Sequence, residues 1–311
     1  MRPLRFIPQP GSLVEVTVRT FQSCFLLRPS PVLNKLIAGV LGRAQARFPV
    51  LCHAAVFLST HFHLLLTVDD AEQLSNFMEH VNTNIAKEVN RLYDRTGSVF
   101  GHRYHAIVIS DEEAAQVERL RYVLAHGVKE GLVAYVRDWP GIHSAREILD
   151  GEPIRGLWFD RSQEYAARNR GEDFDRLKYA TEETFELTPL PCWAHLAPEA
   201  YRERVAALVA EIEREAAAEL AKTGRVPLGV AAVLRQNPES RPNQPKRSPA
   251  PLYHAATRAV RQAFWEAYRL FVAAFRDAAE KWKTGDRTAR FPIGSFPPGL
   301  PFVTAEAFGP S

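Results

Sequence analysis

The 311-residue sequence has few cysteines, no long apolar run and no strong net charge of either sign. Its three cysteines, Cys24, Cys52 and Cys192, are too few and too far apart for a disulfide-stapled miniprotein or a metal cage built from cysteine alone. No segment approaches the roughly 18 apolar residues that a membrane span needs, and the Met1 end has no apolar signal core. With 46% hydrophobic and 24% charged residues, we expect a cytoplasmic globular protein without a membrane partner.

The small net charge of +3 conceals an uneven distribution along the chain. Residues 1–150 carry 16 basic and 15 acidic side chains, whereas residues 222–261 carry 8 basic side chains and one acidic side chain. Within that basic stretch, the proline-laden tract 236–251 predicts an exposed connector. Such a tract either is a solvated linker or contacts a phosphate backbone, in which case Lys246 and Arg247 are candidate DNA contacts.

The hydrophobic periodicity of the first half predicts an α+β fold. Alternating or β-branched segments predict strands, and apolar residues at helical spacing predict helices between them. The predicted strands cover 13–19, 51–57, 61–68 and 99–109, and the predicted helices cover 31–47, the segment after Asp70 to before Gly97, and 111–126. This order is typical of a ferredoxin-like split βαβ plait, an antiparallel sheet with helices on one face.

The second half predicts mainly helices. Apolar stripes favour long helices over 200–221 and 253–282, and the proline-rich tail 291–301 is expected to lie extended over them. We therefore divide the chain into an α+β domain over 1–151 and a helical C-terminal extension over 152–311 that includes the connector 236–251.

Two motifs carry residues suited to chemistry. On the strand 61–68, His61 and His63 project from the same face, and two neutral imidazoles side by side suit a divalent metal. On the predicted helix 111–126, Tyr122 and His126 are four residues apart and share a face. A tyrosine attacks a phosphate when a nearby metal polarises the target, so His126 is a candidate third ligand. Each motif also has a structural alternative. His61 and His63 can be ordinary structural histidines, Tyr122 can simply pack at the edge of the helix, and His126 can interact favourably with the dipole at the C-terminal end of the helix.

Taken in order, these segments resemble the REP-associated tyrosine transposases, relatives of the insertion-sequence-200-like transposases in the HUH single-strand nuclease superfamily. The resemblance spans roughly Pro3 to Gly151. It rests on Leu58-Ser-Thr-His-Phe-His-Leu-Leu-Leu66, Asn84 to Asn90 with Tyr93, Gly97-Ser-Val-Phe-Gly-His-Arg-Tyr104, Val108-Ile109, Tyr122-Val-Leu-Ala-His-Gly-Val-Lys-Glu-Gly-Leu-Val133 and Trp139-Pro-Gly-Ile-His-Ser144.

The resemblance implies a metal-dependent single-strand DNA endonuclease and strand transferase that forms a 5′-phosphotyrosine at hairpin-flanked sites. In that family the His-x-His pair binds the metal and a helix tyrosine attacks the DNA, which assigns these roles to His61, His63 and Tyr122. The implied cofactor is Mg²⁺ or Mn²⁺, and the implied partner is single-stranded DNA with REP-like hairpins. The protein is expected to be nucleoid-associated and a monomer or homodimer, with Tyr122 acting on the metal of its own subunit.

The sequence departs from the family pattern at three places. His126 stands where the family commonly has Asn or Gln, His126-Gly127 replaces Asn-Pro, and Thr60 replaces the Asn before the histidine pair. Imidazole is a competent ligand, so His126 either conserves the site or shifts its preference towards Mn²⁺ or Zn²⁺.

Several alternatives remain open from the sequence. His102, Arg103 and His105, on the strand before Tyr122, are candidate DNA contacts or ordinary solvent-facing residues. Tyr93 and Tyr104 are competing nucleophiles. A non-cleaving DNA-hairpin-binding protein on the same scaffold is the alternative function, and a relaxase or replication initiator shares the same chemistry.

Overall fold

The computed structural model describes residues 3–171, 175–243 and 251–299. The strands are β1 (Ser12–Arg19), β2 (Leu51–Phe57), β3 (His61–Val68), β4 (His105–Ile109), β5 (Ile154–Phe159), β6 (Ala180–Phe185) and β7 (Tyr253–His254). The helices are α1 (Pro31–Arg47), α2 (Ala71–Leu92), α3 (Glu113–Leu124), α4 (Ser144–Asp150), α5 (Arg161–Asn169), α6 (Pro198–Thr223), α7 (Val230–Leu234) and α8 (Arg258–Lys283).

Local sequence signals determine where the first helices begin. The Ser30 side chain accepts a hydrogen bond from the Leu33 amide at 3.1 Å, and Pro31 occupies the first turn of α1, where its missing N–H leaves no donor unpaired. The Asp70 carboxylate caps α2 by accepting from the Gln73 amide at 2.7 Å. These caps give α1 and α2 the starting points predicted from the sequence.

The central sheet has the strand order β2-β3-β1-β4-β7. All its pairs are antiparallel except β4 with β7, which run parallel. In the register of the sheet, Thr17 of β1 lies opposite His63 on β3 and opposite His105 on β4. Directly opposed residues share a face, so this row places both histidines on the same side of the sheet.

Helices cover both faces of the sheet, whereas the sequence predicted helices on one face. Helices α1 and α2 pack on the face that carries Phe62 and Leu64. Helices α3, α4 and α6 pack on the other face, against Leu13, Val56 and Leu65. The second layer forms because alternate residues on both faces of the inner strands are apolar and buried. The predicted α+β fold class with an antiparallel sheet is confirmed.

A two-stranded sheet of β5 and β6 packs against α1 at very short range. A Cβ atom added at Gly156 would lie 2.2 Å from the Gly39 nitrogen, and one added at Gly39 would lie 2.1 Å from the Leu157 carbonyl oxygen. Only glycine permits this approach of a strand backbone to a helix backbone. The sequence did not predict this pair of strands.

Two further differences from the predicted elements concern their ends. The strand predicted over 99–109 begins only at His105, although Phe100 forms an isolated bridge with Thr20. The helix predicted from residue 253 begins at Arg258, because Tyr253 and His254 pair with Val108 and Ile109. No described helix is long and apolar enough to cross a membrane.

Candidate active site

Two of the three histidines come from strand β3. His61 and His63 are two residues apart and therefore emerge on the face covered by α3, while Phe62 between them is buried in the core of the opposite face. The two imidazole ring centroids are 5.2 Å apart. The His-x-His pattern therefore places both rings side by side, as predicted.

The third histidine follows the end of α3. The helix ends at Leu124, His126 lies in the next turn, and Gly127 adopts a φ of +91° that suits glycine. This turn places the centroid of the His126 ring 4.2 Å from that of the His63 ring and 5.8 Å from that of the His61 ring. One ligand atom from each of the three histidines lies within 4.8 Å of the other two, a cluster that can bind a metal ion.

Hydrogen bonds at Nδ1 orient all three rings. The His63 Nδ1–H donates to a Glu15 carboxylate oxygen at 2.8 Å, and the His126 Nδ1–H donates to the Val123 carbonyl at 3.1 Å. His61 Nδ1 is hydrogen-bonded to the Thr60 hydroxyl at 2.8 Å. Because Nδ1 is engaged in each ring, Nε2 remains as the ligand atom, the arrangement by which metal-binding histidines are usually held.

Burial keeps the imidazoles neutral. Burial, followed by the charges of neighbouring histidines and cations, holds the pKa of His61 and of His126 well below the ordinary value. Burial also lowers the pKa of His63, although its hydrogen bond to Glu15 opposes the shift. Neutral imidazole is the form that binds a metal ion, so the cluster has the protonation state of a ligand set at neutral pH.

Glu15 is a buried carboxylate that holds the site together. Burial raises its pKa, but the hydrogen bonds from His63 and Arg119 and the charge of the Arg119 guanidinium bring the net pKa below the ordinary value. Arg119 Nε donates to Glu15 Oε2 at 2.6 Å, and Arg119 Nη2 donates to the same oxygen. The ionised Glu15 therefore links a histidine of the cluster to helix α3.

Tyr122 lies on α3 next to the histidine cluster. Its ring centroid is 4.9 Å from that of His126 and 5.7 Å from that of His63, and 39% of the residue is exposed. The Arg119 guanidinium lies 4.3 Å and the Lys129 ammonium 3.5 Å from the ring centroid. Burial and the charge of Glu15 raise the pKa of the Tyr122 phenol, while Arg119 opposes that rise. The phenol is therefore protonated at neutral pH, the residue is exposed to solvent, and two cations lie against its ring.

The two competing tyrosines lie elsewhere. Tyr104 is 7% exposed, belongs to the core on the opposite face of the sheet, and accepts a hydrogen bond from Arg5. Tyr93, at the end of α2, packs against that same core. The structure therefore brings Tyr122, and neither of these tyrosines, against the three histidines.

The predicted DNA contacts fall into two groups. His102, Arg103 and His105 line a pocket beside the start of β4. Arg103 and His102 are exposed, and only His105 belongs to the strand. Lys246 and Arg247 lie outside the described residues.

Sequence reasoning missed Glu15, Arg119 and Lys129 as parts of the site. One signal was available for Glu15, since a single acidic residue among Leu13, Val14 and Val16 on a strand predicts a buried charge with a partner. Arg119 lies three residues before Tyr122, on the same face of α3. Lys129 lies in the turns after α3, and no pattern in the sequence indicates its position.

Comparisons with known proteins returned solved structures only. No protein-family profile and no curated protein matches the chain. One similar structure is a REP-associated tyrosine transposase bound to a REP hairpin, 18% identical, with a TM-score of 0.38, covering 49% of this chain and 87% of that chain. Another is a proposed transposase from Deinococcus radiodurans R1, 14% identical, with a TM-score of 0.27, covering 39% of this chain and 95% of that chain. Both likenesses involve at most half of this chain.

Proposed function

We propose that the protein is a metal-dependent single-strand DNA endonuclease and strand transferase that works through a 5′-phosphotyrosine on Tyr122. The observation that carries this proposal is the position of an exposed tyrosine beside three neutral, oriented imidazoles, of which His63 and His126 are buried and His61 is partly buried. A tyrosine next to a metal site suits nucleophilic attack on a phosphodiester.

The donor set fits a divalent cation. His61, His63 and His126 would hold it through Nε2, and when bound it supplies Lewis-acid polarisation of a phosphoryl oxygen. Of the two cations expected from the resemblance, Mn²⁺ suits three nitrogen donors better than Mg²⁺, which prefers oxygen ligands.

In the cleavage step the Tyr122 phenolic oxygen attacks the phosphorus of a backbone phosphodiester. The bond between phosphorus and the tyrosine oxygen forms, and the bond between phosphorus and the 3′ oxygen breaks. The phenolic proton is lost to solvent, and the departing oxygen takes up a proton to become a free 3′-OH. A second 3′-OH can reverse this exchange, which transfers the strand without an external energy source.

Two cations of the chain support this step. Arg119 and Lys129 lie against the Tyr122 ring, where their charge stabilises the phenolate that develops and attracts the substrate phosphate. Burial lowers the pKa of Lys129 to about 8, so at neutral pH the protonated, positively charged form of its amine still predominates. The substrate we propose is single-stranded DNA at the foot of a hairpin.

The test compares the wild-type chain with Tyr122→Phe on hairpin-flanked single-stranded DNA in Mn²⁺. We expect a covalent protein–DNA adduct on a denaturing gel for the wild type, and at least about a thousandfold less cleavage for the variant. Tyr135→Phe is the matched control, because Tyr135 is also an exposed tyrosine (59%) that follows α3 in the chain. It should cleave like the wild type.

Equal cleavage by the wild type and Tyr122→Phe would show that Tyr122 is not the nucleophile. If the wild type binds the hairpin tightly but forms no adduct in Mn²⁺ or Mg²⁺, the protein is instead a non-cleaving hairpin-binding protein on this scaffold.

A further inference from the structure

A pocket of about 360 Å³ lies beside the start of β4, on the side of β1 away from the histidine pair. Three segments that are far apart in the sequence form its walls. They are residues 3–7, residues 102–108 and a region that includes Leu252 and two aromatic residues of α8. The first and third segments contribute no residue to the histidine cluster, so a metal bound by that cluster does not account for the pocket.

The pocket holds two guanidinium groups without a carboxylate. Arg5 and Arg103 both line it, and in the described part of the chain neither forms an ion pair. Burial, followed by the charge of Arg103, lowers the pKa of Arg5 to about 9. Two neighbouring cations, one of them largely buried, are stabilised when an anion lies between them, and guanidinium groups match phosphate oxygens.

His105 adds an unused polar atom to the same pocket. Its Nδ1 is buried, and within the described ranges it has no hydrogen-bond partner. A buried ring nitrogen without a partner is costly, so a bound molecule that hydrogen-bonds to it is favoured.

The remaining wall is aromatic. Phe264 and Tyr268 of α8 line the pocket, and the Phe264 ring stacks on Tyr253 with centroids 3.8 Å apart. The Tyr268 hydroxyl donates a hydrogen bond to the Leu4 carbonyl at 3.4 Å, which ties α8 to the N-terminal segment. A planar aromatic wall beside two guanidinium groups suits a nucleotide, which has a flat apolar base and an anionic phosphate.

The pocket is close to the candidate active site. Thr17 lies between His63 and His105 in the sheet, so the two histidines are two strand spacings apart, about 10 Å, on one face. His105 is on this face, whereas Tyr104 and Phe264 of the pocket belong to the core of the opposite face, so a DNA strand beside Tyr122 would reach the pocket around the start of β4.

We propose that this pocket binds one nucleotide of the single-stranded DNA near the attacked phosphate, with Arg5 and Arg103 contacting its phosphate and the α8 aromatic wall contacting its base. The proposal rests on the proposed function, because it takes DNA as the substrate. It adds a contribution from the C-terminal half of the chain to substrate recognition.

The first experiment measures binding of fluorescent single-stranded DNA by anisotropy at several salt concentrations in EDTA. We expect Arg103→Gln to bind about tenfold more weakly than the wild type, with a salt slope smaller by about 0.7 for the lost phosphate contact. Arg103 is exposed, so this variant should fold, and Arg5→Gln should give the same change. Arg155→Gln, an exposed arginine on β5, is the matched control and should leave both values unchanged.

The second experiment separates the phosphate from the base. The probes are inorganic phosphate and the four deoxynucleoside 5′-monophosphates, titrated by calorimetry or NMR into the full chain. We expect the tightest monophosphate to bind at least fivefold more tightly than phosphate, and Tyr268→Leu to remove this preference while phosphate still binds. Arg103→Gln should weaken both probes.

Unchanged affinity and salt slope for both Arg5→Gln and Arg103→Gln would overturn the proposal. So would a nucleotide that binds no better than phosphate, or a preference that survives in Tyr268→Leu. Because EDTA removes metal chemistry, these results are independent of whether the wild type forms a Tyr122 adduct. A missing adduct with intact nucleotide binding would contradict the proposed function alone.

Discussion

Glu15 illustrates how one buried charge is accommodated in the middle of the sheet. It is 1% exposed between Val14 and Val16, and it accepts hydrogen bonds from His63 on one oxygen and Arg119 on the other. A buried carboxylate without such partners would be strongly destabilising. Its two partners come from the histidine cluster and from the helix that carries Tyr122, so Glu15 is a positioning residue for both.

We expect Glu15→Gln to weaken Mn²⁺ binding by about 10- to 100-fold. The substitution removes the carboxylate charge that holds the proton on His63 Nδ1. It also leaves Arg119 without an ionic partner. Isothermal titration of the full chain with Mn²⁺ measures the effect. Glu118→Gln is the control, since Glu118 is an exposed glutamate on α3. Wild-type Mn²⁺ affinity in Glu15→Gln would show that Glu15 has no part in holding the ligands.

The sequence predicted the residues of the site that follow local spacing. His61 and His63 are related by strand periodicity, and Tyr122 and His126 by helical periodicity, so each pair could be found from sequence alone. The contacts from Glu15 to His63 and Arg119 span 48 and 104 residues, and only the strand register and the packing of α3 create them. No spacing rule connects residues over such distances.

Between the elements, an ionic cluster joins α2 to α5 and the turn that follows it. The buried carboxylates Glu88 and Glu164 accept hydrogen bonds from three arginines, Arg91, Arg161 and Arg176. Burial raises the pKa of Glu164, but its bonds to Arg91 and Arg176 bring the net value below the ordinary 4.5. The cluster therefore connects the predicted catalytic half to the second half through charge as well as through apolar packing.

We expect Glu164→Gln to lower the free energy of unfolding at pH 7 by about 2–3 kcal/mol. This is less than the roughly 3–5 kcal/mol of fully buried pairs, because the arginines are partly exposed. A carboxylate whose pKa is lower in the folded state stabilises the fold above its unfolded pKa, and this contribution is lost as the pH falls through the folded pKa. The difference in the free energy of unfolding between the wild type and Glu164→Gln should therefore become smaller below about pH 4.5.

Urea unfolding followed by circular dichroism at pH 7 and at pH 3.5 measures both values. The exposed Glu182 on β6 provides the control Glu182→Gln, which should change little at either pH. If the difference in the free energy of unfolding is the same at both pH values, Glu164 acts by packing and not by its charge.

The predicted elements show the same division between local and long-range information. Strands β1 to β3 and helices α1 and α2 agree with the sequence patterns, because periodicity and caps are local. The β5–β6 strand pair and strand β7 were missed, because they depend on the approach of Gly156 to α1 and on the pairing of Tyr253 with Val108. A two-residue strand leaves no periodicity to detect.

For the whole molecule, the hydrophobic cores contain residues from both halves of the chain. Ile154, Phe185 and Phe264 belong to the core on the α1–α2 face. Trp193, Val205 and other residues of α6 belong to the core on the α3 face. The division at residue 151 remains a prediction about function, and the shared cores predict that the two halves are not independent in stability.

We therefore expect the described parts of both halves to unfold in one cooperative transition, although chains of this length commonly unfold through intermediates. Val205 in α6 and Leu64 in β3 are both fully buried, one in each half and one in each core. Val205→Ala and Leu64→Ala should each destabilise the protein, by roughly 2 kcal/mol or more, and should shift the same single midpoint. The measurement is urea unfolding followed in parallel by far-ultraviolet and near-ultraviolet circular dichroism, with curves that coincide for the wild type and both variants. Two separated transitions, of which only one moves in Val205→Ala, would instead establish an independently folding domain on either side of residue 151.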